Sequence, residues 1–196
     1  LLQIIDEQLA KAGTYIFEVR KEFISRLIPV FNKYYSFLTD DKEVVHLEYI
    51  SKLTEQSLLE LLKASIHKDL ALQYTSVGIH RDDLELLLNK YPVRKIGSQG
   101  QQKSFVLAIK LAQFEIISQY SGVKPLLLLD DIFDKLDVHR ITRLMELVSN
   151  ETFGQIFITD TTDTHIREVF EKIKVPLKVF NCAKPDLPVG NSEEME

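Results

Sequence analysis

The sequence predicts an α/β fold, a mainly parallel sheet with flanking helices, preceded by a helical segment. Three observations carry that expectation. From Val77 onward, strand-like and helix-like stretches alternate in the grammar of βαβ units. Leu126 to Leu129 form a continuous apolar run of the kind that parallel sheets bury on both faces. Residues 2 to 30 repeat apolar side chains at alternating steps of three and four, a helical period.

Taken in order, Leu2, Ile5, Leu9, Ala12, Ile16, Val19, Phe23, Leu27 and Val30 mark a helix with one narrow apolar stripe, the seam of a coiled coil or helical hairpin. Pro29 is expected to kink or end it, because proline lacks the backbone donor that a helix interior needs. Glu43 to Ile50 reads as a short strand, and Ser57 to Thr75 as a second helix. Val77 to Asn89 reads as a strand or hairpin. The Gly97–Gly100 loop then opens a helix to about Tyr120, with Phe105, Ala108, Ile109, Ala112 and Ile116 inward. Gly122 and Pro125 break the chain before the strand Leu126–Leu129. A helix from Val138 to Ser149, a strand from Gln155 to Asp160, a helix from Thr164 to Lys172 and a strand from Leu177 to Phe180 complete the pattern. The tail from Lys184, with two prolines and a polar end, is expected to stay disordered. No internal repeat is visible.

The 196 residues suffice for one sizeable core or two small ones, and 45% hydrophobic with 27% charged residues is ordinary for a globular chain. No apolar run approaches the roughly 20 residues of a membrane helix, and no signal peptide is visible. A single cysteine, Cys182, excludes an intramolecular disulfide and favours the cytoplasm. The net charge of −5 argues against a nucleic-acid footprint spread over the whole surface, though not against a local basic surface on an oligomer. The chain begins at Leu1, which suggests a piece of a longer protein.

Two stretches invite chemistry. "LLLLDDIFDKLD" drives four leucines into Asp130 and Asp131. One unpaired buried carboxylate costs several kcal/mol, and two side by side repel, so a cation is expected there, either an Arg or Lys partner or a metal ion. Asp160 ends the next strand in the same way. Ligands of open α/β sheets bind at the carboxyl ends of strands. An aspartate ending a buried strand is the Walker B arrangement, in which a carboxylate reaches Mg²⁺ on a nucleotide's phosphates; a helix N-cap or structural ion pair is the alternative. In "GSQGQQKS", Gly97 and Gly100 permit a tight approach and Ser98 offers a hydroxyl. The N–H groups of the following helix make an anion site by geometry; a simple cap by Ser98 is the alternative.

A Ser-x-Gly-Gln loop, a helix, a break, four apolar residues, Asp-Asp and then "KLD" resembles the second half of an ABC-type ATPase head: signature loop, Walker B and D-loop. Within that superfamily, "VGIHRDDLELLLN", "GSQGQQKSFVLAIKLAQ", "LLLLDDIFDKLD" and "QIFITDT" resemble the RecF family of bacterial recombination mediators. The similarity runs from about Leu1, through "FISRLIPVFNKYYSFL", to about Thr161.

That resemblance implies a head that binds ATP and Mg²⁺, with two heads sandwiching two nucleotides. It makes Ser98, Gln99, Gly100 and Gln101 the signature loop, which meets the γ-phosphate of ATP held by the opposite subunit. Asp130 becomes the Walker B ligand, holding Mg²⁺ through water, and Asp131 the catalytic carboxylate that orients the attacking water. Asp137 becomes the D-loop aspartate across the dimer interface. Asp160 and Thr161 fall where many ABC heads carry a switch histidine, while His165 is read as a surface residue. By the same comparison residues 1–75 are the second half of a helical arm, 76–183 the C-terminal half of the head, and 184–196 a tail. No GxxxxGK[ST] loop occurs, so this chain alone is expected not to hydrolyse ATP, and the full-length protein to be a weak Mg²⁺-dependent ATPase. Ile79 stands where the family usually shows proline, and His80 to Asp83 read as a structural salt-bridge cluster. The implied function is ATP-dependent DNA binding at single-strand/double-strand junctions during repair. The implied partners are the mediators RecO and RecR and a second copy of the chain, with no membrane. Two alternatives stand beside it: an SMC-like repair head with another client, for which the arm is short, and a non-catalytic protein-interaction module.

Overall fold

The structure, a computed structural model, describes residues 2–130, 136–149, 153–160, 164–173, 177–180, 182 and 193–195. The chain divides into two compact units, Leu1–Ile116 and Ile117–Glu196.

The first unit opens with helix α1 (Leu2–Thr39). It does not end at Pro29. The residues after the proline, Phe31, Tyr34, Tyr35 and Leu38, are at most 1% exposed, and their burial offsets the roughly 3 kcal/mol that an interior proline costs. The stripe expected to be the seam is largely on the outside: Leu2, Ile5, Leu9, Ile16, Val19 and Phe23 are 37% to 51% exposed. The buried face is a second register, Gly13, Phe17, Ile24, Leu27, Phe31, Tyr34 and Leu38, also stepped by threes, fours and sevens. Leu27 belongs to both registers. Packing chose between them. A Cβ on Gly13 would stand 2.3 Å from Leu58 Cδ2, so the absent side chain is what lets the two segments approach closely.

Helix α2 (Leu58–Leu72) starts at a capping box: Ser57 Oγ accepts from Glu60 N, and the Glu60 carboxylate accepts from Ser57 N at 3.1 Å. Leu58, Leu61 and Leu62 form a small core with Val77. Strand β1 (Val45–Ile50) pairs antiparallel with β2 (Asp83–Leu88), from Val45 opposite Leu88 to Ile50 opposite Asp83. Asn89 and Lys90, at φ 49° and 73°, then turn the chain into the short β3 (Tyr91–Pro92), a two-residue hairpin turn. The boundary expected near residue 75 therefore falls inside one unit, because β1 and β2 lie on either side of it.

Within the His80–Asp83 stretch, Asp82 makes contacts that hold the fold. The Asp82 carboxylate accepts from the Tyr49 hydroxyl at 2.5 Å and lies 3.7 Å from the Arg20 guanidinium, which also donates to Ile79 O at 2.7 Å. These contacts tie α1 to the turn before β2. A short helix, α3 (Val93–Ile96), leads into the long α4 (Gln99–Ser121). Phe105, Ala108, Ala112 and Ile116 are buried as expected and Ile109 is half-buried, while Leu107, Leu111 and Phe114 widen the buried face.

In the second unit β4 (Leu127–Asp130) runs parallel to β5 (Ile156–Thr159), Leu127 opposite Ile156 and Asp130 opposite Thr159. The mainly parallel sheet of the sequence reading comes down, among the described strands, to this pair. Burial on both faces is not observed: Leu127 and Leu129 are 7% and 6% exposed, whereas Leu128 is 70% and its register partner Phe157 46%. Side chains alternate along a strand, and only one face has cover. Helices α5 (Val138–Val148) and α6 (Thr164–Ile173) pack on each other. Strand β6 (Leu177–Val179) pairs antiparallel with β7 (Glu193–Met195). That pairing places a strand in the tail, where composition offers no strand signal; unpaired backbone at the edge of β6 supplies the partner groups.

Candidate functional site

The Gly97–Gln101 loop is held by its own neighbours. Gly97 N donates to Val93 O at 2.8 Å, closing α3. A Cβ at Gly97 would lie 2.7 Å from that same carbonyl oxygen, so the turn needs glycine for space. Ser98 and Gln101 then form a reciprocal box: Gln101 N donates to Ser98 Oγ at 3.2 Å, and Ser98 N donates to Gln101 Oε1 at 2.8 Å. The cap foreseen as the plain reading of Ser98 is therefore present. It uses a lone pair of the hydroxyl and not its O–H. Ser98 and Gln99 are exposed, with Gly100 and Gln101 half-buried. The loop sits at the positive end of a 23-residue helix, where backbone N–H groups and the helix dipole favour an anion.

Gln101 reaches further. Its Nε2 donates to Glu43 Oε1 at 3.2 Å, and the other Glu43 oxygen accepts from the Tyr35 hydroxyl. Tyr35 is fully buried, its ring 4.5 Å from that of Phe105. The sequence reading did not find Glu43 or Tyr35. No local signal links Glu43 to a glutamine 58 positions on.

In the second unit, Asp130 ends β4 and is exposed. The Thr159 hydroxyl donates to Asp130 Oδ1, and Asp160 follows Thr159 directly. A carboxylate and a hydroxyl thus meet at the carboxyl ends of two neighbouring parallel strands. Thr159 was also missed, although a threonine closing "IFIT" just before Asp160 could have suggested it. Both carry hard oxygens of the kind Mg²⁺ takes. Among the described residues no group of three or more His, Cys, Asp or Glu side chains gathers to hold a metal. Mg²⁺ sites built on one or two carboxylates, completed by water and phosphate, need no such group.

Asp137 caps α5: its Oδ1 accepts from Arg140 N at 2.9 Å, and its Oδ2 lies 3.4 Å from Arg140 Nε. The side chain is still 59% exposed. Asp131 and Thr161 lie outside the described residues, as does the side chain of His165 within α6.

No protein-family profile matches the chain. Whole sequences do. It is 51% identical over 180 residues to the DNA replication and repair protein RecF of Flavobacterium johnsoniae, covering 92% of this chain and 50% of that protein. Against its counterpart in Bacteroides fragilis it is 44% identical over 196 residues, covering 100% of this chain and 52% of the relative. Among solved structures, that of "the recombination mediator protein RecF-ATPrS in RecFOR pathway" superposes with a TM-score of 0.69 at 33% identity, over 84% of this chain and 46% of that one. A second structure, of RecF-ATP, matches with the same score at 29% identity. The fold class is that of an ABC-type head with an attached helical segment. The chain belongs to the RecF family of DNA replication and repair proteins. It spans about half the length of the curated relatives it matches.

Proposed function

We propose that this chain supplies the signature loop and the Walker B strand of an ATP-operated DNA-repair switch. The observation that carries the reading is the Ser98–Gln101 box. It fixes the serine oxygen at the mouth of α4 while sparing its O–H, which suits donation to a phosphate oxygen of ATP held by a second copy. In this reading Asp130 takes Mg²⁺ through water, with Thr159 pinning one carboxylate oxygen and leaving the other for that contact. The ion neutralises phosphate charge when bound. Asp131 orients the attacking water, Asp137 meets the partner head as the D-loop residue, and Asp160 with Thr161 forms the switch region.

The intact protein then binds ATP, dimerises on it, and hydrolyses it weakly with Mg²⁺; this chain alone is inactive. Its partners are DNA at single-strand/double-strand junctions and the mediators RecO and RecR, in the cytoplasm. No described helix is long and apolar enough to cross a membrane. The test is Ser98→Arg in the full-length protein. ATP binding by the monomer is expected to stay near wild type while ATP-driven dimerisation, followed by light scattering, is lost. Loss of ATP binding by the monomer would mean that the loop serves its own subunit's nucleotide, and the reading falls.

A further inference from the structure

Gln101 stands between two demands. Its amide oxygen accepts from Ser98 N at 2.8 Å, so its amide nitrogen must face Glu43, to which it donates at 3.2 Å. An amide offers one donor end and one acceptor end, whereas a carboxylate only accepts. Glu43 receives the Gln101 amide on one oxygen and the Tyr35 hydroxyl on the other. Every donor in the chain Ser98, Gln101, Glu43, Tyr35 therefore has one consistent direction. A side chain at 43 that accepted nothing would leave the Gln101 amide nitrogen without this partner, and the amide could turn over and abandon Ser98 N. The far end of this chain is packed: Tyr35 is fully buried in α1, against Phe105 and Phe31.

We infer that Glu43 is a positioning residue for the signature loop. It fixes the sense of the Gln101 amide and so holds Ser98 in register with the last turns of α1. The inference rests on the proposed role of the loop toward a second copy's nucleotide. Glu43 touches no phosphate itself; it acts through Gln101.

The experiment uses the full-length protein with Glu43→Leu, the conservative variant Glu43→Gln, and Ser98→Arg as the reference for the loop. Binding of a fluorescent ATP analogue to the monomer and ATP-driven dimerisation by light scattering are measured on each. Leu at 43 accepts nothing from the Gln101 amide, so Glu43→Leu is expected to weaken dimerisation about tenfold, with ATP affinity of the monomer changed less than about twofold. Gln at 43 accepts from Gln101 with its carbonyl and donates to the Tyr35 hydroxyl oxygen with its amide, so Glu43→Gln is expected to stay within about threefold of wild type. A merely structural role predicts that Glu43→Leu lowers ATP binding by the monomer together with dimerisation. A Glu43→Gln protein as weak as Glu43→Leu overturns the inference. So does a Glu43→Leu protein that dimerises like wild type while Ser98→Arg does not. If Ser98→Arg itself dimerises normally, the reading of the loop has failed, and the positioning role goes with it.

Discussion

Glu115 on α4 is a carboxylate whose partners set a pH signature. It accepts the Tyr34 hydroxyl at 2.5 Å and the Lys33 ammonium at 3.0 Å. Burial alone would push its carboxyl up. The bond from Tyr34 and the Lys33 ammonium outweigh burial, and the carboxyl sits below its ordinary value of 4.5. Burial first, and then the bond to Glu115 and its charge, push the Tyr34 hydroxyl well above its ordinary range, so it remains a donor at any pH of interest. A depressed carboxyl contributes stability that is fully present above its unfolded value and is lost as pH falls through its folded value. Tyr34→Phe keeps a ring in a site only 1% exposed and removes one hydrogen bond to a charged group, worth about 1.5–3 kcal/mol. Lys33 is 61% exposed, so its ion pair adds only about 0–1 kcal/mol. A double-mutant cycle of Tyr34→Phe and Glu115→Gln, read by urea unfolding, is expected to give a coupling of about 1–2 kcal/mol at neutral pH. It should decline as the pH is taken from about 5 to about 2. A coupling that is the same across that range, or absent at neutral pH, would refute the reasoning.

Three further outcomes are expected of the full-length protein. Asp130→Asn should weaken Mg²⁺-dependent nucleotide binding and hydrolysis together. Asp131→Asn should keep ATP bound and slow only the chemical step, by about 10²–10⁴-fold. Single-turnover hydrolysis beside ATP-driven dimerisation separates the two, and equal loss of binding in both would mean one shared metal site. Gly97→Ala forces a Cβ to within 2.7 Å of Val93 O and should cost about 1–3 kcal/mol by shifting the α3–α4 junction. Thermal unfolding checks the stability, and a larger loss in dimerisation than in monomer ATP binding checks that the loop has moved.

What the sequence by itself determined is what neighbours a few residues apart can encode. The loop before α4 was legible because two glycines and a serine stand together just ahead of a helical period. The strand ending in Asp130 was legible because four leucines run into a carboxylate. The family was legible because those motifs recur in order. Tertiary structure decided the rest. Two apolar registers run along α1, one position apart except at Leu27, which they share, and a period alone cannot say which is buried. Close approach at Gly13 and the aromatic cluster around Tyr35 selected the second. Nor could strand propensity name the partner of β1, or foresee that Leu128 and Phe157 would share an exposed face. Glu43 reads as an ordinary charged residue at the start of a strand until the fold brings it to Gln101 and Tyr35. Capping boxes and apolar runs are local and leave a pattern in the sequence, whereas a hydrogen bond across 58 residues leaves none. Only the packed chain selects it, through the cost of leaving a buried donor or acceptor unmatched.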